Sequence, residues 1–281
     1  MKRKGLLLLL TLVLALAASG CAGNSGEVAS DEGKTIVKVG LVGEMAEMWV
    51  PIQENLESEG IKIELVKFAD YTLPNQALAD GEIDLNAFQH YAFLYNEVEA
   101  KGLDLVPIGN TIVAPLNVYS SKLESIEQIK QGDKIAIPND VTNGGRALKV
   151  LESAGLIKVD PAAGYNPSVG DITENSLQLE IIEVEASNLP SLLPDVAAAV
   201  INGNHAHDHG LKPAEDAIYS QSIDSIESDN PYINIIAARA EDAENEVYLK
   251  VVEAYNQPNV ADVINKTYDG LYVPAWIEDQ E

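Results

Sequence analysis

From Thr35 onward the chain alternates short apolar runs with segments whose apolar residues recur at helical spacing, and that alternation leaves few folds open to it. Ile36-Val37-Lys38-Val39-Gly40-Leu41-Val42 reads as a buried strand, and Met45, Met48, Trp49, Ile52 and Leu56 follow as the core stripe of a helix. Ile61, Ile63 and Leu65 alternate with Lys62 and Glu64 as a second strand. Pro74 and Gly81 then bracket a short helix in the order of a helix start and stop. Ile83 to Ala87 and Leu103 to Ile108 read as strands around a helix ending at Gly102. A second series has strands at Lys134–Pro138, Leu179–Val184 and Ala197–Ile201, with a helix over Gly145–Ala154 stopped by Gly155. Helical patterns return around Val247, Val251 and Tyr255 and from Val260 to Tyr268. The expectation is two α/β lobes with largely parallel sheets. Ala114–Ser120 and the polar segment Tyr219–Pro231 are the two stretches that could connect them, which would place a ligand cleft between strand ends.

The first residues do not belong to that body. Lys2-Arg3-Lys4 followed by the apolar run Leu6 to Ala18 has the layout of a secretion signal, too short for the roughly 20 residues that span a bilayer. Ala18-Ser19-Gly20 leads directly into Cys21, the only cysteine, which resembles a bacterial lipobox with Ala18 in the usual leucine position. Residues 1–20 are therefore expected to be cleaved and Cys21 to be lipidated, and no disulfide can form within the chain. Two acyl chains give the stable anchoring that one does not. The Gly-, Ser- and acid-rich stretch Ala22–Lys34 would be a tether reaching roughly 20 Å. The protein would sit on a cell membrane, at its extracytoplasmic face.

Charge narrows the partners. Removing Lys2, Arg3 and Lys4 with the leader takes the net charge from −26 to −29, a field that repels phosphate backbones, so no nucleic-acid partner is expected. No nucleophile elbow, phosphate-binding glycine loop or metalloprotease helix is present, so neither an enzyme nor a cofactor is expected, and an exported hydrolase has no nucleophile and base to use.

Three constellations remain. Pro138-Asn139-Asp140-Val141-Thr142-Asn143-Gly144-Gly145-Arg146 ends a strand, offers Thr142 or Asn143 as a cap and starts a helix near Arg146. Free N–H groups and a guanidinium would converge there on a carboxylate, whereas the plain alternative makes Arg146 a surface helix residue. Phe68-Ala69-Asp70-Tyr71 and Asn86-Ala87-Phe88-Gln89-His90-Tyr91 place rings where strands end, either lining an apolar slot or packing inside. His205, His207 and His209 come together on a metal only if their segment is extended. Because Gly210-Leu211 reads as a helix stop, a solvated helix end is the expectation there, with no metal bound.

Taken together these segments resemble the MetQ/NlpA-type methionine-binding lipoproteins, substrate-binding components of methionine ABC importers. The landmarks are Phe68 to Asn75, Asp84 to His90, Ile135 to Asp140 with Thr142-Asn143 and Gly145-Arg146, Ala199 to Asn204, and Pro231 to Asn234, over about Ile36 to Trp276. The resemblance implies a two-lobed periplasmic-binding-protein fold of type II, with lobe 1 formed by residues 35–117 and 232–281 and lobe 2 by 118–231. It implies that Arg146, helped by Asn143, takes a methionine carboxylate, and that Asn202 and Asn234 hold the amino and carboxylate groups. Tyr71, Phe88, His90 and Tyr91 would surround the thioether, with Asn139 on the second-lobe wall. It also implies L-methionine as cargo and a permease and an ATPase as partners. The alternatives are a methionine derivative or Met-containing dipeptide, or a surface lipoprotein for metal capture or adhesion through the histidine tract. Two departures stand out: His205 replaces the tyrosine usual after Ile-Asn-Gly-Asn, and Gly43-Glu44-Met45-Ala46-Glu47 replaces Gly-Pro-His-Ala-Glu.

Overall fold

The computed structural model describes residues 33–44, 46–221, 230–268 and 270–276. The expectations for the leader, Cys21 and the tether up to residue 32 lie outside the described residues, as do Met45 and residues 222–229 of the second expected connection.

The first half runs β1 (Thr35–Val42), α1 (Trp49–Glu57), β2 (Ile61–Phe68), α2 (Pro74–Ala79), β3 (Leu85–Asn86), α3 (Tyr91–Lys101) and β4 (Leu105–Val113). The chain then builds β5 (Asn117–Tyr119), β6 (Lys134–Pro138), α4 (Val141–Ser153), β7 (Lys158–Val159), β8 (Ile172–Glu174), β9 (Glu180–Val184), α5 (Leu189–Leu192) and β10 (Ala198–Ile201). It continues through α6 (Gly203–Asp208), α7 (Pro213–Asp216) and β11 (Ala217–Ser220), and returns with β12 (Ile233–Arg239), α8 (Glu246–Tyr255), α9 (Pro258–Thr267) and β13 (Val273–Pro274). Among the described residues one sheet has the order β13-β4-β12-β3-β1-β2 and a second the order β11-β5-β10-β6-β9, with β7 and β8 forming a small ribbon. The expected lobe boundary after residue 117 falls at the first residue of β5.

Both sheets are mixed, which corrects the expectation of largely parallel sheets. β1 pairs parallel with β2 from Thr35↔Ile61 to Val42↔Phe68, and β6 pairs parallel with β9, because a helix carries the chain back across the sheet each time. The strands flanking the crossings pair antiparallel instead: β12 with β4, and β5 with β10. Periodicity reads the apolar character of such strands but not their direction. All four residues of β10 are buried, as suits a strand covered on both faces.

The two largest apolar clusters each pack against one of the sheets. Val37, Val39, Trp49, Ile52, Leu56, Val251 and Ile264 belong to the first, in which α1, α8 and β1 meet. Leu148, Leu151, Ile135, Ile137 and Val200 belong to the second, in which α4 covers β6 and β10. Trp49, Ile52 and Leu56 share one face of α1 and are 1%, 0% and 0% exposed, each burial contributing about 1.5–3 kcal/mol. α3 stops at Gly102, whose left-handed φ of 66° closes the helix with a bond to the Val98 carbonyl.

This topology sets the functional edge. The C-terminal ends of β1, β2, β3, β6 and β10 lead directly to Val42, Tyr71, Phe88, Asn143 and Asn202, all of which line one cleft between the sheets. No described helix is long and apolar enough to cross a membrane.

Candidate functional site: a cleft around a buried guanidinium

The cleft encloses about 810 Å³, its open mouth included. Its polar wall comes from α4 and the end of β10. The helix begins at Val141 with Asp140 as its cap, not near Arg146 as expected: the Asp140 carboxylate accepts the Asn143 N–H at 2.8 Å, filling the helix start with the chain's own anion. Arg146 consequently sits in the second turn, and its guanidinium rather than free helix N–H groups faces the cleft.

Arg146 is 3% exposed, so the surface alternative falls. Its Nη2 donates to the Ala114 carbonyl at 2.6 Å and to Gln221 Oε1 at 2.9 Å, and its Cζ lies 4.5 Å from the centre of the Tyr232 ring. Burial pulls its pKa down to about 10, partly offset by Tyr232 and Tyr71, which leaves it cationic at neutral pH. Among the described residues it has no carboxylate partner, and its buried Nε donates to nothing. A buried charge without a counterion is costly to keep and sets up the site for an anion.

Asn143 organises the facing groups. Its Nδ2 donates to both Asp140 oxygens at 3.1 Å, so its Oδ1 turns to Asn202 Nδ2 at 2.9 Å and His90 Nε2 at 3.3 Å. His90 caps α3 through Nδ1, which accepts the Phe93 N–H at 3.1 Å. That bond requires a bare Nδ1, so the ring proton is on Nε2 and points at Asn143. Burial first and Arg146 second pull the His90 pKa down to about 3, keeping the ring neutral. With Nδ2 of Asn202 committed to Asn143, the buried Asn202 Oδ1 is left as an acceptor with no donor. Asn234 lines the same cleft from β12, bridged through its backbone to His90.

The apolar wall is a ring cluster. Tyr71 lies 5.9 Å from Phe88 in a stacked arrangement and 5.9 Å from Phe93 edge-on. Its hydroxyl donates across the cleft to Asn204 Oδ1 at 2.6 Å, and Asn204 Nδ2 donates to the Val42 carbonyl at 3.4 Å. Outside the rings, the Asp208 carboxylate accepts the Glu44 N–H at 3.1 and 3.2 Å. The two sheets are thus latched by hydrogen bonds on both sides of the cleft.

Of the residues singled out in the sequence, Arg146, Asn143, Asn202, Asn234, Tyr71, Phe88 and His90 converge on the cleft. Tyr91 and Asn139 do not line it. Tyr91 follows the helix cap, and its hydroxyl turns away to Asn110 Oδ1 at 2.8 Å, with its body packed against the cluster of Leu94 and Leu105. Asn139 is exposed, and its N–H completes the pairing of β6 with β9 through the Val184 carbonyl at 3.0 Å.

The histidine tract closes a helix before Gly210 as expected, with Asp208 and His209 exposed at its end, but His205 is buried inside it. His205 is 3% exposed, its ring centre 5.0 Å from that of Tyr71, and burial lowers its pKa to about 4. His207 meets the Tyr268 ring edge-on at 5.9 Å, while His209 Nδ1 donates to the His205 carbonyl at 3.0 Å. Helical spacing sends the three rings in different directions, and no cluster of three metal-ligating side chains exists among the described residues.

Sequence reasoning missed Tyr232, Gln221, Asn204 and the wall formed by Met48, Trp49, Thr111, Tyr255 and Tyr272. Tyr232 had a local signal, an aromatic just before the apolar run that leads back to the first sheet. Gln221 had none, since only the fold brings it to Arg146.

The NlpA lipoprotein family model matches residues 37–276. The D-methionine-binding lipoprotein MetQ of Yersinia pestis is 38% identical over 278 residues, covering 98% of this chain and 99% of that protein. A nutrient-binding protein of Burkholderia cenocepacia, solved bound to methionine, superimposes with a TM-score of 0.80 at 41% identity, over 85% of this chain and 99% of that one. The substrate-binding protein of a methionine transporter from Streptococcus pneumoniae gives a TM-score of 0.80 at 37% identity, over 86% and 96%. The family match spans both sheets and the residues that line the cleft between them, and the protein belongs to the NlpA lipoprotein family.

Proposed function

We propose that this protein is the lipid-anchored extracytoplasmic receptor that captures L-methionine and delivers it to an ABC importer made of a permease and an ATPase. The observation that carries this reading is the polarity of the cleft. One buried donor on a cation, Arg146 Nε, and one buried acceptor, Asn202 Oδ1, both lack partners among the described residues. An α-amino acid supplies both missing groups at once: its carboxylate turned to Arg146, its ammonium to Asn202. Tyr71, Phe88 and Phe93 then cover an unbranched apolar side chain, and methionine's thioether suits contact with aromatic edges.

Burying a methionine side chain contributes about 1.5–3 kcal/mol and each charged hydrogen bond about as much, set against the cost of association. Cys21, lipidated, would hold the body at the membrane where the permease resides, and the closed, latched form is the state it would receive. A relative named for D-methionine binding and another solved bound to methionine support methionine as the cargo, and the L-isomer is the proposal's own choice.

Mass spectrometry of ligand released from protein purified without added amino acids tests this directly, followed by calorimetry with L-methionine, D-methionine, glycyl-methionine and leucine. Release of methionine and tightest binding of the L-isomer are expected. Preference for the dipeptide would shift the reading to a peptide receptor, and binding of none of the four would end it.

A further inference from the structure

Behind Phe88 and His90 lie three amide side chains where apolar residues would ordinarily pack. Asn75, the second residue of α2, is 0% exposed, as is Asn86 of β3, and Gln89 is 2% exposed. Asn75 Nδ2 donates to Gln89 Oε1 at 2.8 Å while Gln89 Nε2 donates back to Asn75 Oδ1 at 2.6 Å, a reciprocal amide pair. Asn86 closes the set: its Nδ2 donates to Asn75 Oδ1 at 2.9 Å and its Oδ1 accepts Gln89 Nε2 at 2.8 Å. A buried polar set of this kind rigidifies what it joins when satisfied and is disruptive when broken.

We propose that Asn75 is a positioning residue of the methionine site: through its bonds to Gln89 and Asn86 it fixes the direction in which Phe88 and His90 enter the cleft. This rests on the function proposed above. Gln89 is the chain neighbour of both site residues, and its own carbonyl accepts the Ile235 N–H at 2.9 Å while the Ala87 N–H donates to Gly40 at 2.9 Å. Main-chain bonds thus fix the segment to the strands beside it, and the amide pair fixes it to α2. Asn75 itself is absent from the cleft lining, so any effect on ligand runs through its neighbours. Loss of the pair removes the hold of α2 on this segment and shifts the His90 Nε2–H that Asn143 accepts.

The test compares Asn75→Leu with Asn75→Asp at about pH 5.5, where a buried carboxyl is protonated and presents the same acceptor and donor to Gln89. Two signals are read in each folded variant: the ¹⁵N shifts of the His90 ring in the ligand-free, histidine-labelled protein, and the L-methionine affinity by calorimetry. Asn75→Leu should move the His90 shifts and weaken binding by about tenfold or more, and Asn75→Asp should restore both to near wild type. Wild-type shifts and affinity in Asn75→Leu, or equal impairment of Asn75→Asp, would overturn the inference. If the wild-type protein binds no methionine, the proposed function fails on its own, and the His90 shifts of the ligand-free variants still decide the positioning role.

Discussion

His90 Nε2 and Asn143 Oδ1 meet at 3.3 Å across the cleft, one from the cap of α3 and the other from the first turn of α4, 53 residues further along the chain. Each is oriented by a backbone job: His90 by accepting the Phe93 N–H, Asn143 by the Asp140 carboxylate that also caps its helix. The Asn143 carbonyl in turn holds the Asn202 amide, and that leaves Asn202 Oδ1 free. The acceptor offered to the proposed ligand is therefore set by a chain of helix caps, not by flexible surface groups.

Replacing the buried cation should separate binding from stability. Arg146→Met is expected to lower L-methionine affinity by about 100-fold, as loss of charged hydrogen bonds near 1.5–3 kcal/mol each implies. The ligand-free variant should melt within a few degrees of wild type, because an uncompensated buried charge leaves with the side chain. Calorimetry and thermal denaturation of the same preparation check both halves.

The two buried histidines give the stability a pH dependence of known sign. Their pKa values, about 3 for His90 and about 4 for His205, lie below the unfolded value of 6.5, so unfolding takes up protons between these limits. Their contribution is fully present above about pH 6.5 and is lost as pH falls toward 4 and then 3. Urea midpoints measured from about pH 7 down to pH 4 should fall, and His90→Gln should flatten the curve by about one proton.

The latch outside the rings depends on a glycine. Gly43 has φ of +87°, and a Cβ there would sit 2.4 Å from Asp208 Oδ2. Gly43→Ala should therefore push the carboxylate off the Glu44 N–H. Both Gly43→Ala and Asp208→Ala are expected to speed methionine release by about three- to tenfold with little change in association, the worth of one ordinary hydrogen bond at an exposed position. Stopped-flow displacement reads this, and unchanged release in both variants would remove the latch from the account.

Two residues should prove dispensable. Tyr91→Phe and Asn139→Ala are expected to keep L-methionine affinity within about twofold, since the one hydroxyl serves Asn110 and the other side chain is exposed outside the cleft. His205, behind Tyr71 and not in the lining, is an intermediate case: His205→Tyr should change affinity by less than about tenfold. A larger loss in any of these, measured by calorimetry, would relocate the binding wall.

Much of this was legible in order along the chain. Gly102 and Gly81 closed helices where their conformational freedom is used, and the strand ending at Pro138 followed by Gly144-Gly145-Arg146 marked the polar wall. The cap was misread because Asp140, Thr142 and Asn143 are all capping residues within four positions, and only backbone geometry chooses among them. Tyr91 was misassigned because adjacent residues at a helix start face different directions, so a run of rings does not define one wall. Strand direction, the burial of His205 and the reach of Gln221 to Arg146 all depend on contacts between distant segments, which local periodicity does not carry.

In the proposed complex Arg146 recognises the carboxylate and the rings recognise the side chain. Calorimetry of wild type and Arg146→Met with L-methionine and with methioninol, which lacks the carboxylate, separates the two. The substitution should weaken L-methionine about 100-fold and leave the weak methioninol affinity within about threefold. Equal losses for both ligands, or none for L-methionine, would contradict it.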